Sequence, residues 1–355
     1  MNNEQPFNFE EPIKKAREQM GHVNIAVIGK TGVGKSTLIN AVFGENLAKT
    51  GVGQPVTQHC EMFTKKDSWF SILDTKGFEL ENYQTILKEL KEEIQNRKSK
   101  DPNSHIHVAW FCINNHSNRI EPAEIDFIQE LSSEIPVIIV LTQSDTFSGL
   151  FDEIKNLTTK AKQVVELLAQ ESVAKNGSVI APYGLDVLVN VTKEVLPEAV
   201  ENAFIAAQKI DMEMKQSAAR KAIATAVTAG VAACVIPLPF ADSAALAPIE
   251  IGMLASISHI MGLKTSKAFL STLVSSAIGV IGAMFGGRAI VTGLLKLIPG
   301  LGTAFGTAIG AATAATMITA IGEAYIAAVV KIQLSGKTDP KELSSIFVEE
   351  LKKKK

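Results

Sequence analysis

A doubly wound α/β domain followed by an all-α, charge-poor domain is the architecture this sequence predicts. Three observations carry that expectation. From Val23 to about Val200, apolar strand-like runs alternate with helix-like stretches. Runs such as Val137-Ile138-Ile139-Val140-Leu141 are apolar at every position, which suits a mostly parallel sheet covered on both faces. Between Ala222 and Val330, 109 residues carry only seven charges, whereas the other 246 residues carry 65.

The elements follow in order. Residues 1–21 form a lead-in, with Pro12 in a first helical turn and Ile13, Ala16 and Met20 at helical spacing, and it is expected to pack beside the domain that follows. The α/β domain spans 22–197. Its strands are expected at Val23–Ile28, Trp69–Leu73, His107–Ile113 and Pro136–Leu141, with a further one at Ser178–Ala181. Its helices are expected at Lys35–Phe43, Tyr83–Arg97, Pro122–Leu131, Phe151–Gln170 and Leu185–Leu196. A linker helix (198–221), an apolar Ala/Gly-rich helical domain (222–335) and a C-terminal helix with a basic tail (336–355) complete the chain.

Composition excludes several classes. With 46% hydrophobic residues, 20% charged residues and a formal net charge of −2, the chain is neither disordered nor a generally basic nucleic-acid binder, and no nucleic-acid partner is predicted. The balance is uneven: residues 1–216 sum to −8 and residues 217–355 to +6. The three cysteines are far apart, which predicts reduced thiols of a cytoplasmic protein rather than a disulfide framework or a zinc site. The N-terminal residues lack the basic flank and apolar core of a secretory signal.

The chemistry begins at Gly29-Lys30-Thr31-Gly32-Val33-Gly34-Lys35-Ser36-Thr37. It directly follows a strand and opens a helix, the context that GxxxxGK[ST] requires. Backbone N–H groups in such a turn face phosphate oxygens, and the helix N-terminus adds positive potential. Lys35 is placed to reach the β- and γ-phosphates, and Ser36 to ligate Mg²⁺. Asp74-Thr75-Lys76-Gly77 gives DxxG at a strand end, with Asp74 for the Mg²⁺ shell and the Gly77 amide for the γ-phosphate. Thr57, between these motifs, is the candidate that closes over Mg²⁺ and γ-phosphate. Thr142-Gln143-Ser144-Asp145 ends the strongest strand. A carboxylate there accepts two hydrogen bonds from the guanine edge, which adenine does not offer, so Asp145 selects GTP and GDP.

Together these residues resemble the Ras-like GTPases of the translation-factor class, with bacterial-looking features, over about half the chain. The resemblance implies GTP and Mg²⁺ binding, slow hydrolysis, and segments that change with nucleotide state. It makes Lys35, Thr57 and Gly77 the catalytic positions, and it implies a guanine-contacting loop near Ile180 and Ala181. Two departures matter. Gln143 stands where a lysine is usual. Phe78 follows Gly77 where many relatives carry a glutamine that orients the attacking water. Phenylalanine cannot hydrogen-bond that water, so turnover is expected to be slow until self-association through the G domain, or membrane contact, supplies another group.

In the charge-poor region three uncharged runs, Ala222–Ala241, Ala268–Gly287 and Leu297–Gly322, reach the length of a membrane span. Ala and Gly supply 38 of the 109 residues, so the same runs also suit a tightly packed bundle. Gly302, Gly306, Gly310 and Ala314, like Gly282 and Gly286, recur at helical spacing. Asp242 and Glu250 flank Pro248 and read as a polar turn between two helices. The boxes Ile236-Pro237-Leu238-Pro239-Phe240-Ala241-Asp242 and Leu297-Ile298-Pro299-Gly300-Leu301-Gly302 resemble the YcjF-like domain, a membrane-associated helical module of unknown function. The combined expectation is a nucleotide-dependent switch in the cytoplasm, associated with or inserted in a lipid membrane. A ribosome- or RNA-associated assembly GTPase and a dynamin-like remodelling GTPase are the alternatives.

Overall fold

The computed structural model describes residues 9–44, 52–55, 60–64, 67–75, 83–173, 177–235, 241–263, 265–274, 311–336 and 339–354. Two compact units result. One is formed by residues 21–212, the other by residues 1–20 together with 213–355.

The first unit is built on a seven-stranded sheet. Its strands are β1 (Val23–Ile28), β2 (Val52–Pro55), β3 (Cys60–Thr64), β4 (Phe70–Thr75), β5 (Val108–Asn114), β6 (Val137–Thr142) and β7 (Gln163–Glu166), in the spatial order β2-β3-β4-β1-β5-β6-β7. Five strands, from β4 to β7, run parallel, and β2 and β3 extend the β4 edge antiparallel. The central strands β1 and β6 are buried at every residue, as their unbroken apolar runs require.

One face of the sheet is covered by α3 (Tyr83–Lys98), α4 (Pro122–Leu131) and α5 (Leu150–Leu157). Ile86, Leu90, Ile94, Phe127, Ile128, Leu131 and Ile154 from these helices join Phe111, Ile113, Ile139 and Leu141 in one core. The other face packs α2 (Lys35–Phe43), α6 (Leu185–Val195) and α7 (Glu198–Ala207). There Phe43 stacks on Phe70 at 4.5 Å and on Trp110 at 5.9 Å, and the buried indole N–H of Trp110 donates to Thr192 Oγ1 at 3.1 Å. A buried Trp needs such a partner for its polar atom.

Three sequence expectations change here. The stretch Phe151–Gln170 is not one helix: α5 stops at Leu157, and Gln163–Glu166 becomes the edge strand β7. The β-branched pair Val164-Val165 is buried there beside β6, so tertiary pairing overrides the helical reading. The segment at 178–181 contributes only β9 (Val179–Ile180), which pairs antiparallel with β8 (Ser172–Val173) in a separate two-stranded sheet. The stretch 198–221 is not one helix either. Gln208, fully buried, accepts from the N–H groups of Ile210 and Asp211 and donates to Asp211 O, ending α7 before the next helix begins.

That next helix is α8 (Met212–Val235), which runs without a break from charged sequence into the apolar region. In the second unit it joins α1 (Glu10–Glu18), α9 (Ala241–Ile260), α10 (Ala311–Leu334) and α11 (Pro340–Lys353). The lead-in helix α1 thus belongs with the helical unit, where it packs on α9. Small residues let these helices close up. A Cβ at Gly322 of α10 would come within 2.5 Å of Ile223, and one at Gly230 within 2.4 Å of Ile318. Tyr325 is fully buried, shares a 2.6 Å hydrogen bond with Ser258 and meets Phe347 edge-on at 5.4 Å. Among the described residues one helical stretch, Ala315–Leu334, is long and apolar enough to cross a membrane, and about half of it is buried. The Gly282–Gly310 stripes and the proline boxes lie outside the described residues.

Asp242 and Glu250 do not bracket a turn, because α9 continues through Pro248 as one helix. Glu250 is buried, and its Oε2 has no hydrogen-bond partner among the described residues. Burial pushes its carboxyl up to about 8. An acid whose folded-state value is raised favours folding fully only below its unfolded value, near 4.5, and that contribution is lost as pH rises toward about 8. Glu250→Gln is therefore expected to stabilise the chain at alkaline pH by on the order of 3 kcal/mol, and to flatten stability above the acid range. Thermal melts of both proteins across that range check it.

Candidate nucleotide site

The site forms at the C-terminal ends of β1, β4, β5 and β6, the usual place for a ligand on an open parallel sheet. Between β1 and α2 the chain makes the turn Gly29–Gly34. Gly29 has φ +149°, and a Cβ there would lie 2.4 Å from the Cys112 carbonyl oxygen, so no other residue lets the loop pass β5 this closely. Gly34 caps α2 at φ +95° and has no side chain with which to cap the helix's first N–H groups. The first N–H groups of a helix favour an anion there; Ser36 and Thr37 lie in this first turn, and Thr37 lines the cavity described below.

Lys35 Nζ donates to the carbonyls of Gly29 at 2.7 Å and Lys30 at 3.1 Å, which folds the lysine back over its own loop. Asp74, one residue before the end of β4, pairs in register with Val27 of β1, next to that loop. Cys112, buried on β5, lies against the phosphate turn at Gly29. Burial pushes its thiol up to about 12, with Lys35 pulling it down and Asp74 pushing it further up. The donor set of Ser36 hydroxyl and Asp74 carboxylate is hard oxygen, which fits Mg²⁺. Thr57, Gly77 and Phe78 lie outside the described residues.

Lys30 is held from a second direction. Its Nζ lies 3.2 Å from Glu124 Oε1, and Glu124 is buried. The other oxygen of Glu124 accepts the Glu121 N–H at 2.9 Å in a capping box at the start of α4. One carboxylate thus ties a helix N-terminus to the phosphate turn. Glu124→Gln keeps the cap and removes the charge. It is expected to lower stability by about 1–3 kcal/mol in thermal melts, and saturating GDP is expected to recover part of the loss.

Beyond α2 the loop 142–148 closes the site. Thr142, buried at the end of β6, places its hydroxyl 2.5 Å from Val33 O and 3.2 Å from Ile113 O, linking β6 to the phosphate turn. Gln143 adopts φ +54° and donates to Gly32 O at 3.3 Å, so its side chain lies along that turn. Asp145 follows, its Oδ2 accepting Ser172 Oγ at 2.6 Å. A cavity of about 250 Å³ opens between them, lined by Gly34, Thr37, Thr142, Gln143, Asp145, His116 and the segment Leu168–Ser172.

Ala181 does not line this cavity. Because β7 is a strand of the main sheet, the loop that follows it, Leu168–Ala169–Gln170, arrives where the sequence reading placed Ile180 and Ala181. Tyr183 steadies that loop by pairing with Leu168 and donating its hydroxyl to Ser144 O at 2.6 Å. Sequence reasoning also missed His116. The one available signal was the polar run Asn114-Asn115-His116 at a strand end.

The comparisons with known proteins agree on this half of the chain. Residues 24–143 match the family MMR_HSR1, described as 50S ribosome-binding GTPase, and residues 201–355 match DUF697, a domain of unknown function. Septin-9 of Rattus norvegicus is 30% identical over 39% of this chain and 29% of its own length. GTPase Era of Neisseria meningitidis is 24% identical over 50% of this chain and 55% of its own. The chain thus spans from under a third to about half of the length of these curated relatives. Among solved structures, a probable GTP-binding protein engB aligns at 19% identity over 49% of this chain and 98% of that one, with a TM-score of 0.34. Era in complex with MgGDPNP and 16S ribosomal RNA aligns at 20% identity over 50% and 58%, with a TM-score of 0.33.

Proposed function

We propose, from a chain that carries a P-loop GTPase domain followed by a DUF697 domain, a slow GTP-hydrolysing switch whose helical domain engages a lipid membrane. The observation that supports the guanine half is the meeting of Gly34 at the end of the phosphate turn, Thr37 of α2, Gln143 and Asp145 around one cavity, with Lys35 held against the same turn. Its roles follow from chemistry. The turn and α2 bind the phosphates. Lys35 neutralises charge on the transferring phosphoryl group. Ser36, Asp74 and Thr57 would hold Mg²⁺, which would supply positive charge against the phosphates. The Gly77 amide senses the γ-phosphate. Gln143 covers the purine face, and Asp145 reads its edge.

Slow turnover is motivated by Phe78, which cannot orient water. Turnover measured across protein concentration, with and without vesicles, tests it. A rate that rises with self-association or lipid supports the reading, and a fast rate in dilute protein defeats it. Membrane engagement rests on the charge-poor composition, on helix Ala315–Leu334 and on the positive balance of residues 217–355.

A second reading, a ribosome- or RNA-associated GTPase, is favoured by the family's description and by the Era match. Salt-sensitive cosedimentation with ribosomes would support it over the membrane reading.

A further inference from the structure

The turn after β5 is bolted to the loop that carries Asp145. Asn115, fully buried, donates from Nδ2 to Thr146 O at 2.7 Å and accepts Ser148 Oγ at 2.5 Å. Asn114 donates from Nδ2 to Gln143 Oε1 at 3.3 Å, and its Oδ1 accepts the His116 N–H at 2.9 Å. Four hydrogen bonds therefore set where His116 begins, and its ring ends at the cavity wall with Nε2 3.0 Å from Asp145 Oδ1.

That oxygen has a particular status. Ser172 binds the other oxygen of the carboxylate, while Oδ1 is buried and makes no aligned hydrogen bond; His116 stands within ion-pair distance of it but off the hydrogen-bonding direction. A base edge bound through Asp145 needs both oxygens facing the cavity. The imidazole, about half exposed at the rim, is the cationic candidate for the same carboxylate.

We propose that His116 competes with the guanine edge for Asp145, so that protonating its ring weakens guanine-nucleotide binding. The inference rests on Asp145 as the base-reading residue. A protonated imidazole pairs with the carboxylate and must be displaced before the base enters; a neutral one leaves readily. Histidine is the side chain whose charge changes in the physiological range. The other titratable groups at this wall are Asp145 itself and Glu171, which lines the cavity; behind them stand Tyr183, whose hydroxyl donates to Ser144 O, and Glu166 at the end of β7. All four are unchanged by a substitution at His116, so their contribution cancels between variants.

The test is equilibrium titration of the full chain with GDP at about pH 6 and about pH 7.5, for wild type, His116→Gln and His116→Ala. Wild type is expected to weaken by about two- to fivefold on acidification, the range of a half-exposed ion pair. Both variants should bind about as much more tightly than wild type at the lower pH and converge with it at the higher. Variants that bind more weakly, as they would if His116 stacked on the base, overturn the proposal. So do variants whose pH profile parallels wild type. Asp145→Asn, assayed with GDP and xanthosine diphosphate, separates the two levels. If it exchanges base preference while the His116 variants behave as wild type, only the competition fails. If it leaves base preference unchanged, the base-site reading fails with it.

Discussion

Lys35→Ala is expected to reduce GTP turnover by on the order of 10²–10³-fold, the cost of removing one charged donor from a phosphoryl-transfer site. The lysine opens α2 at the phosphate turn and already bonds two carbonyls of that turn. In the bound state the same ammonium must leave those carbonyls for phosphate oxygens, so it shapes the loop and neutralises the reacting group. The two roles separate by measurement. Loss of the loop contacts is a stability effect of about 1 kcal/mol, read in thermal melts. Loss of charge compensation appears in single-turnover hydrolysis at saturating nucleotide. A variant with wild-type turnover would remove the phosphate turn from the chemistry.

Asp145→Asn carries the second large effect. A carboxylate accepts both the ring N–H and the exocyclic amine of guanine, whereas an amide must offer one donor where guanine also donates. Two charge-assisted hydrogen bonds are lost and one repulsive contact is gained. GDP affinity is expected to fall by about 10²–10³-fold. Xanthine carries a carbonyl in place of that amine and accepts from the new amide, so xanthosine diphosphate should recover most of the affinity. Fluorescence competition between the two nucleotides reads the exchange directly. Asp145 also accepts Ser172, so a drop that xanthine does not rescue would make its role structural.

Most of the α/β unit was legible because its signals are local. The strand at Val23–Ile28 and the helices Lys35–Phe43 and Pro122–Leu131 stand where periodicity and the glycine turn put them. The edge of the sheet was not. Val164 and Val165 are two apolar residues between Gln163 and Glu166, too few to show a period of two, and only pairing with β6 makes them a strand. That single miss hid the segment Leu168–Gln170, which lines the cavity beside Asp145, and put the expected base loop at Ile180–Ala181. The antiparallel strands β2 and β3 escaped for the same reason, since Val52–Pro55 has little apolar pattern of its own. His116 was illegible because its role depends on Asn114 and Asn115 crossing to the loop of another strand, a contact between positions some thirty residues apart.

In the helical unit composition announced the helices but not their partners. Gly322 and Gly230 mark where α8, α9 and α10 approach closely, and no sequence period distinguishes them from the other glycines of that region. The continuity of α8 across the change in composition was hidden too, because the linker and the apolar run differ in charge but share helical propensity.

The coupling of nucleotide to membrane is the central claim, and flotation of the full chain with anionic vesicles, in GDP and in a non-hydrolysable GTP analogue, measures it most directly. The account predicts that the bound fraction differs between the two nucleotides, and that in Asp145→Asn the difference follows xanthine rather than guanine nucleotides. Equal partitioning in both states would contradict it.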